Sequence, residues 1–142
     1  MIVRTRLVTW SLGLFLLFAC SVEAQTARCE HCGMRADPAG AFTAGATLEG
    51  RTLAFDSNKC LLRYRLDHPS ITGAWVTDYY ARTHLALDAA FFVTGSDVMG
   101  PMGADLVALG SRVDGERFVH AHHGVLHTFG EITPELVRSF FP

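Results

Sequence analysis

Residues 29–34 read Cys-Glu-His-Cys-Gly-Met, placing two thiols and a thioether within one turn's length of chain. No other stretch constrains the fold as tightly, because these donors are useful only if the backbone folds back around whatever they hold. Gly33 provides that freedom, since glycine alone enters the left-handed region at no steric cost, and it lets Cys32 and Met34 turn to one centre. Thiolate and thioether are soft donors that select Cu(I), Zn(II) or iron–sulfur clusters over hard cations. Thioether sulfur is a poor zinc ligand and a good Cu(I) ligand, so the run points to a copper(I) site.

Ahead of that run lies a targeting segment. Arg4 and Arg6 form a positive n-region, and Leu7 to Ala19 is an apolar stretch interrupted only by Thr9, Ser11 and Gly13. It is too short to span a bilayer and has the size of a signal-peptide h-region. Leu17-Phe18-Ala19-Cys20 resembles a lipobox, which makes residues 1–19 a lipoprotein signal peptide, Cys20 the lipidated residue and 20–28 a tether. Val22-Glu23-Ala24 is a competing small-x-Ala processing site before Gln25. Ser21 carries no acidic inner-membrane retention signal, so the lipobox reading places the protein in the bacterial periplasm, anchored to the outer membrane.

Roughly 120 residues then remain, enough for one domain with a modest core, taken as 29–142. Formal charge is −2, and loss of Arg4 and Arg6 makes it −4. The remaining basic residues, Lys59 and nine arginines, are scattered rather than clustered. Without a basic stripe interleaved with aromatics, nucleic acid is not an expected partner. Four cysteines are present. A lipidated Cys20 leaves three, an odd number that a disulfide framework in an oxidising compartment explains poorly and a metal site explains better.

The hydrophobic pattern predicts an α+β domain. Ala41–Leu48 and Arg51–Phe55 read as a hairpin through Glu49-Gly50. Asp56 or Ser57 caps a helix with Leu61, Leu62, Tyr64 and Leu66 on its apolar face, ended by His68-Pro69. Ala74–Thr77, Leu85–Asp88 and Ala90–Thr94 read as extended, and Ser96–Gly103 as a loop with two methionines. Asp105–Leu109 is a strand, Ser111 caps a second helix to about His122 with Gly124 as its C-cap, Val125–Phe129 returns, and Thr133-Pro134 opens a terminal helix. Both halves follow strand, cap, helix, glycine, strand, which suggests duplicated ββαβ units.

Cys29 and Cys32 have the spacing of a metal clip, a structural disulfide or a redox couple. A thiol–disulfide oxidoreductase and a structural-zinc module are therefore alternatives to copper binding. Cys60, on the apolar helix face, reads as a small core residue. Asp56 and Asp78 read as residues closing strands. His120, His122, His123 and His127 cluster late, as a polar helix end or a histidine metal site. No nucleophile elbow, phosphate loop or His-Glu-x-x-His motif appears, so an enzyme is not indicated.

The cysteine run, taken with Phe55-Asp56-Ser57, Cys60-Leu61-Leu62, Trp75-Val76-Thr77-Asp78-Tyr79, Asp88-Ala89-Ala90-Phe91-Phe92-Val93-Thr94-Gly95-Ser96, Gly100-Pro101-Met102-Gly103 and Phe129-Gly130-Glu131-Ile132, resembles the NosL family of periplasmic copper lipoproteins. The resemblance implies a duplicated ββαβ fold, a lipobox, Cu(I) bound through sulfur, and copper delivery during assembly of nitrous oxide reductase. By position, it implies Cys32 and Met34 as metal ligands and carries the Pro-Met-Gly loop to Met102. Cys29 or a histidine would complete the site.

Overall fold

The computed structural model describes residues 27–142. The expected signal peptide and the expected lipidation site, Cys20, lie outside these residues. Strands β1 (Ala44–Leu48) and β2 (Arg51–Phe55) form an antiparallel hairpin. Glu49 and Gly50 both take positive φ, 50° and 78°, the two-residue turn whose twist matches its strands. Helix α1 (Asn58–Asp67) follows, and β3 (Thr72–Thr77) then pairs with the free side of β1. β4 (His84–Ala86) completes a four-stranded sheet of order β2-β1-β3-β4.

The second half builds its own sheet. Strands β5 (Phe91–Thr94) and β8 (Val107–Leu109) flank a small hairpin of β6 (Met99–Gly100) and β7 (Gly103–Ala104). Helix α2 (Arg112–His122) and β9 (Val125–Thr128) follow, giving a three-stranded sheet of order β8-β5-β9. In both halves the first strand sits between the second and the one after the helix. A short α3 (Pro134–Arg138) closes the chain. The fold is α+β, and among the described residues no helix is long and apolar enough to cross a membrane.

The larger core lies where α1 lays Cys60, Leu61 and Leu62 on Ala44, Ala46, Leu53, Phe55 and Val76. A second cluster packs Phe118 of α2 on Val93, Val107 and Leu109. Each helix start is held by its own serine: Ser57 accepts from Cys60 N, and Ser111 from Asp114 N. Each is also held by an aspartate from the other half. Asp105 accepts from Lys59 N at 3.0 Å, and Asp78 accepts from Gly110 N at 2.7 Å.

Several boundaries differ from the sequence expectation. β1 starts at Ala44 because the Asp37–Gly40 turn runs on through a Thr43 N to Gly40 O bond. β8 starts at Val107 because the Asp105 carboxylate is committed to Lys59 N and Leu106 N. Residues 87–89 wind into a 3-10 turn, and the loop after Thr94 contains the β6–β7 ladder. His123, at φ 62°, takes the C-cap assigned to Gly124. Gly124 is needed one residue on, where a Cβ would stand 2.5 Å from Thr94 O.

Candidate metal centre

The N-terminal segment reaches the site by running along the free edge of β2. Cys29 bridges Ala54 in parallel, and Glu30 N donates to Ala54 O at 3.0 Å. The turn then closes on itself, with Cys29 N donating to Met34 O at 2.8 Å and Gly33 N to Cys29 O at 2.9 Å. Gly33 takes φ 76°, as the spacing requires. This sets Cys29 and Cys32 beside the corner where Phe55-Asp56-Ser57 turns from β2 into α1. Cys60, in the first turn of that helix, points back to the same corner.

The result is a cluster of four donors. The sulfurs of Cys29, Cys32 and Cys60 and a carboxylate oxygen of Asp56 all lie within 4.8 Å of one another. Cys29, Asp56 and Cys60 are buried, and Cys32 is half-buried, so the centre has three enclosed sides and one open to water. All three thiols are free. Cys32 Sγ donates to Asp56 Oδ1 at 3.3 Å, while the buried Asp56 Oδ2 has no hydrogen-bond partner. An orphaned buried carboxylate oxygen is costly without a cation or donor to meet it.

The thiols divide their charge unevenly. A hydrogen bond from Cys60 holds Cys29 down at about 6, against the usual 9.0, despite its burial. Cys60, giving that hydrogen bond, is pushed far up. Desolvation raises Cys32 to about 11. One thiolate is therefore ready beside two protonated thiols at the positive end of α1, and an incoming soft cation would displace the remaining protons.

The geometry thus unites Cys29 and Cys32 of the expected set. Met34 ends the same turn and is 42% exposed, and Met102 lies at the tip of the β6–β7 hairpin with its carbonyl accepting from Lys59 Nζ. Two members were missed from sequence. Cys60 is indeed in the core, but its sulfur joins the cluster. Asp56 was read as closing a strand, and its carboxylate faces the thiols instead. Asp78 does behave as a turn residue, accepting from Tyr80 N and Ala81 N. The late histidines disperse: His122 pairs with Asp97 and His127 with Thr94. His31 packs edge-on against Phe141, and burial lowers its pKa. The signal that could have found Cys60 was the odd thiol count, and for Asp56 its place at the head of a helix carrying a cysteine.

The fold has a solved counterpart. The chain superposes on the crystal structure of the copper chaperone NosL from Shewanella denitrificans with a TM-score of 0.70 and 24% identity, covering 78% of this chain and 92% of that one. No curated protein matches it. The NosL family model matches residues 21–137, spanning both halves and every residue of the thiol cluster, and the chain belongs to the NosL family.

Proposed function

We propose that this protein carries Cu(I) at the Cys29–Cys32–Cys60 centre and passes it to a copper-receiving partner. The observation that carries this reading is the convergence of three free thiols and a carboxylate with one orphaned oxygen at a half-open corner. Three thiolates suit a low-coordinate cuprous ion, with the two buried sulfurs retaining it and Cys32 at the mouth. Met34 on the same turn and Met102 on the hairpin add thioethers, which bind Cu(I) and release it easily. The destination we propose, assembly of nitrous oxide reductase, is the one implied by the resemblance of the chain's sequence motifs to the NosL family. A lipid on Cys20 would confine the carrier to the periplasmic face of the outer membrane.

The test is anaerobic titration of the metal-free mature protein with Cu(I) against a chromophoric Cu(I) chelator. One tight site is expected, lost in Cys32→Ser and weakened in Met34→Leu. Failure of the wild type to compete with the chelator would refute the reading. Disulfide exchange fits the same cysteines less well, because a redox nucleophile must be both exposed and ionised. Here the ionised thiol, Cys29, is buried, and the accessible Cys32 holds its proton.

Asp56 favours one second reading, a structural zinc held by three sulfurs and an oxygen. Asp56→Ala separates the two. It leaves Cu(I) affinity intact if copper sits on the thiols, and lowers metal affinity sharply if Zn(II) is the resident ion.

A further inference from the structure

The cysteine turn is fastened unequally. Cys29, 3% exposed, is fixed by its bridge to Ala54 on β2. Beyond Glu30 the chain leaves the sheet. Among the described residues, the backbone hydrogen bonds of residues 31–34 stay inside the turn, from Cys29 N to Met34 O and from Gly33 N to Cys29 O. Arg28 Nη1 adds one more within it, to Gly33 O at 3.0 Å. The outer arm, which carries Cys32, meets the rest of the domain through side chains.

One such contact is the hydrogen bond from Cys32 Sγ to Asp56 Oδ1 at 3.3 Å, and Cys32 also packs on the larger core. A metal-bound thiolate has no proton to donate, so that hydrogen bond is lost when the cluster is loaded. A second contact is edge-on, between His31 and Phe141, with ring centroids 5.2 Å apart and planes at 82°. This is a preferred geometry for aromatic pairs, and it uses no donor atom of the cluster.

Phe141 reaches the turn from far along the chain, on a firm base. Thr133 caps α3 by accepting from Leu136 N at 3.2 Å, Val137 of that helix is 2% exposed, and Phe140 packs on the larger core. The tail continues the winding, with Phe140 N donating to Val137 O at 3.3 Å and Phe141 N to Arg138 O at 3.0 Å. The Nζ of Lys59, in the first turn of α1 beside Cys60, lies 5.8 Å from the centre of the Phe141 ring, within cation–π range. Phe141 therefore touches both the helix that carries Cys60 and the turn that carries Cys32.

We propose that Phe141 is a positioning residue for Cys32. Its ring braces His31, and through it the outer arm of the turn, so that Cys32 stays beside Asp56 and within reach of Cys29 and Cys60. This rests on the Cu(I) reading above and adds the residue that keeps the mouth ligand in place. Without the brace, Cys29 and Cys60 keep their positions and Cys32 alone is loosened, so the same ligands hold Cu(I) less firmly.

The experiment alkylates the metal-free protein with iodoacetamide under native conditions and reads the rate at each cysteine of the cluster by peptide mass spectrometry. Cu(I) affinity is measured separately against the chromophoric chelator. F141A is expected to speed alkylation of Cys32 by about two- to tenfold, the factor one edge-on aromatic contact supplies, and to weaken Cu(I) binding by about the same factor. Cys29 and Cys60 stay as slow as in wild type. H31A is expected to match F141A at Cys32, the pair F141A/H31A to add nothing to either, and F141Y, which keeps the ring, to keep the wild-type rate. Cys32 reacting at the wild-type rate in F141A overturns the inference. So does a rise at all three cysteines together, which marks general loosening. Should F141A fail to fold, H31A decides from the other side of the contact, and an unchanged Cys32 rate there has the same force. A Cys32 rate that responds in a protein that binds no Cu(I) upholds the brace and overturns the functional reading, so the two failures are separate.

Discussion

Replacing Asp105 with asparagine changes one buried charge and almost no shape. The carboxylate is 2% exposed, with Oδ1 accepting from Lys59 N and Leu106 N and Oδ2 without a partner. Burial outweighs those hydrogen bonds and pushes its pKa up to about 6, from 3.8. Between these values the native state keeps a proton that the unfolded chain gives up. The stabilisation is full below the unfolded pKa and is lost as pH rises through the folded one. At about 1.4 kcal/mol per pKa unit, the ionised group withholds about 3 kcal/mol at pH 7.

Asparagine keeps the Oδ1 acceptor and never ionises, so D105N is expected to be more stable than wild type at pH 7 by about 1–3 kcal/mol. The lower part of that range allows for the negative charge Lys59 loses nearby. The advantage shrinks through pH 5 and disappears below about pH 4. Urea unfolding of the reduced, metal-free protein at a series of pH values measures it, with Trp75 as the only tryptophan of residues 27–142. A stability difference that stays constant with pH, or a less stable D105N at pH 7, would refute the reasoning.

Because Cys29 is ionised above about pH 6 while Cys32 and Cys60 keep their protons, Cu(I) loading at pH 7.5 releases about two protons. Calorimetry in buffers of differing ionisation enthalpy counts them, and a release near zero would remove Cys60 and Cys32 from the ligand set. Cys60→Ser lowers Cu(I) affinity by about a hundredfold or more in chelator competition; an unaltered constant would return Cys60 to a packing role. A Cβ at Gly45 would stand 2.5 Å from the Trp75 indole, which stacks on His84 at 3.6 Å. Gly45→Ala is therefore expected to lose about 1–3 kcal/mol and shift Trp75 emission, and neither change would show the ring free to move.

Local chemistry was legible in the sequence wherever one segment decides its own conformation. Glu49-Gly50 makes the hairpin turn, Ser57 and Ser111 cap their helices, and Gly33 bends the cysteine run. Cys29 and Cys32 declared themselves by spacing. What stayed hidden depends on distant segments meeting. Cys60 on an apolar helix face looks the same whether its sulfur packs on leucine or faces other thiols. The difference arises only because Cys29 is carried to Ala54 at the edge of β2. Asp56 was obscured by its neighbour: two capping residues in a row precede α1, and Ser57 alone takes the cap. Asp105 looked like the start of a strand, because nothing nearby announces that its carboxylate serves a helix far away in the chain.

That exchange of aspartates between halves bears on how the molecule comes into being. Asp105 accepts from Lys59 N in the first turn of α1, and Asp78 accepts from Gly110 N just ahead of the Ser111 cap of α2, so each half adds a hydrogen bond at the other's helix beside that helix's own serine cap. These are contacts of high sequence separation, and loop closure must precede them. Cys60 sits in the first turn of α1, next to the Lys59 amide that the second half holds. A chain whose two halves have come apart therefore keeps all its cysteines but loses one of the hydrogen bonds that fix the turn carrying Cys60.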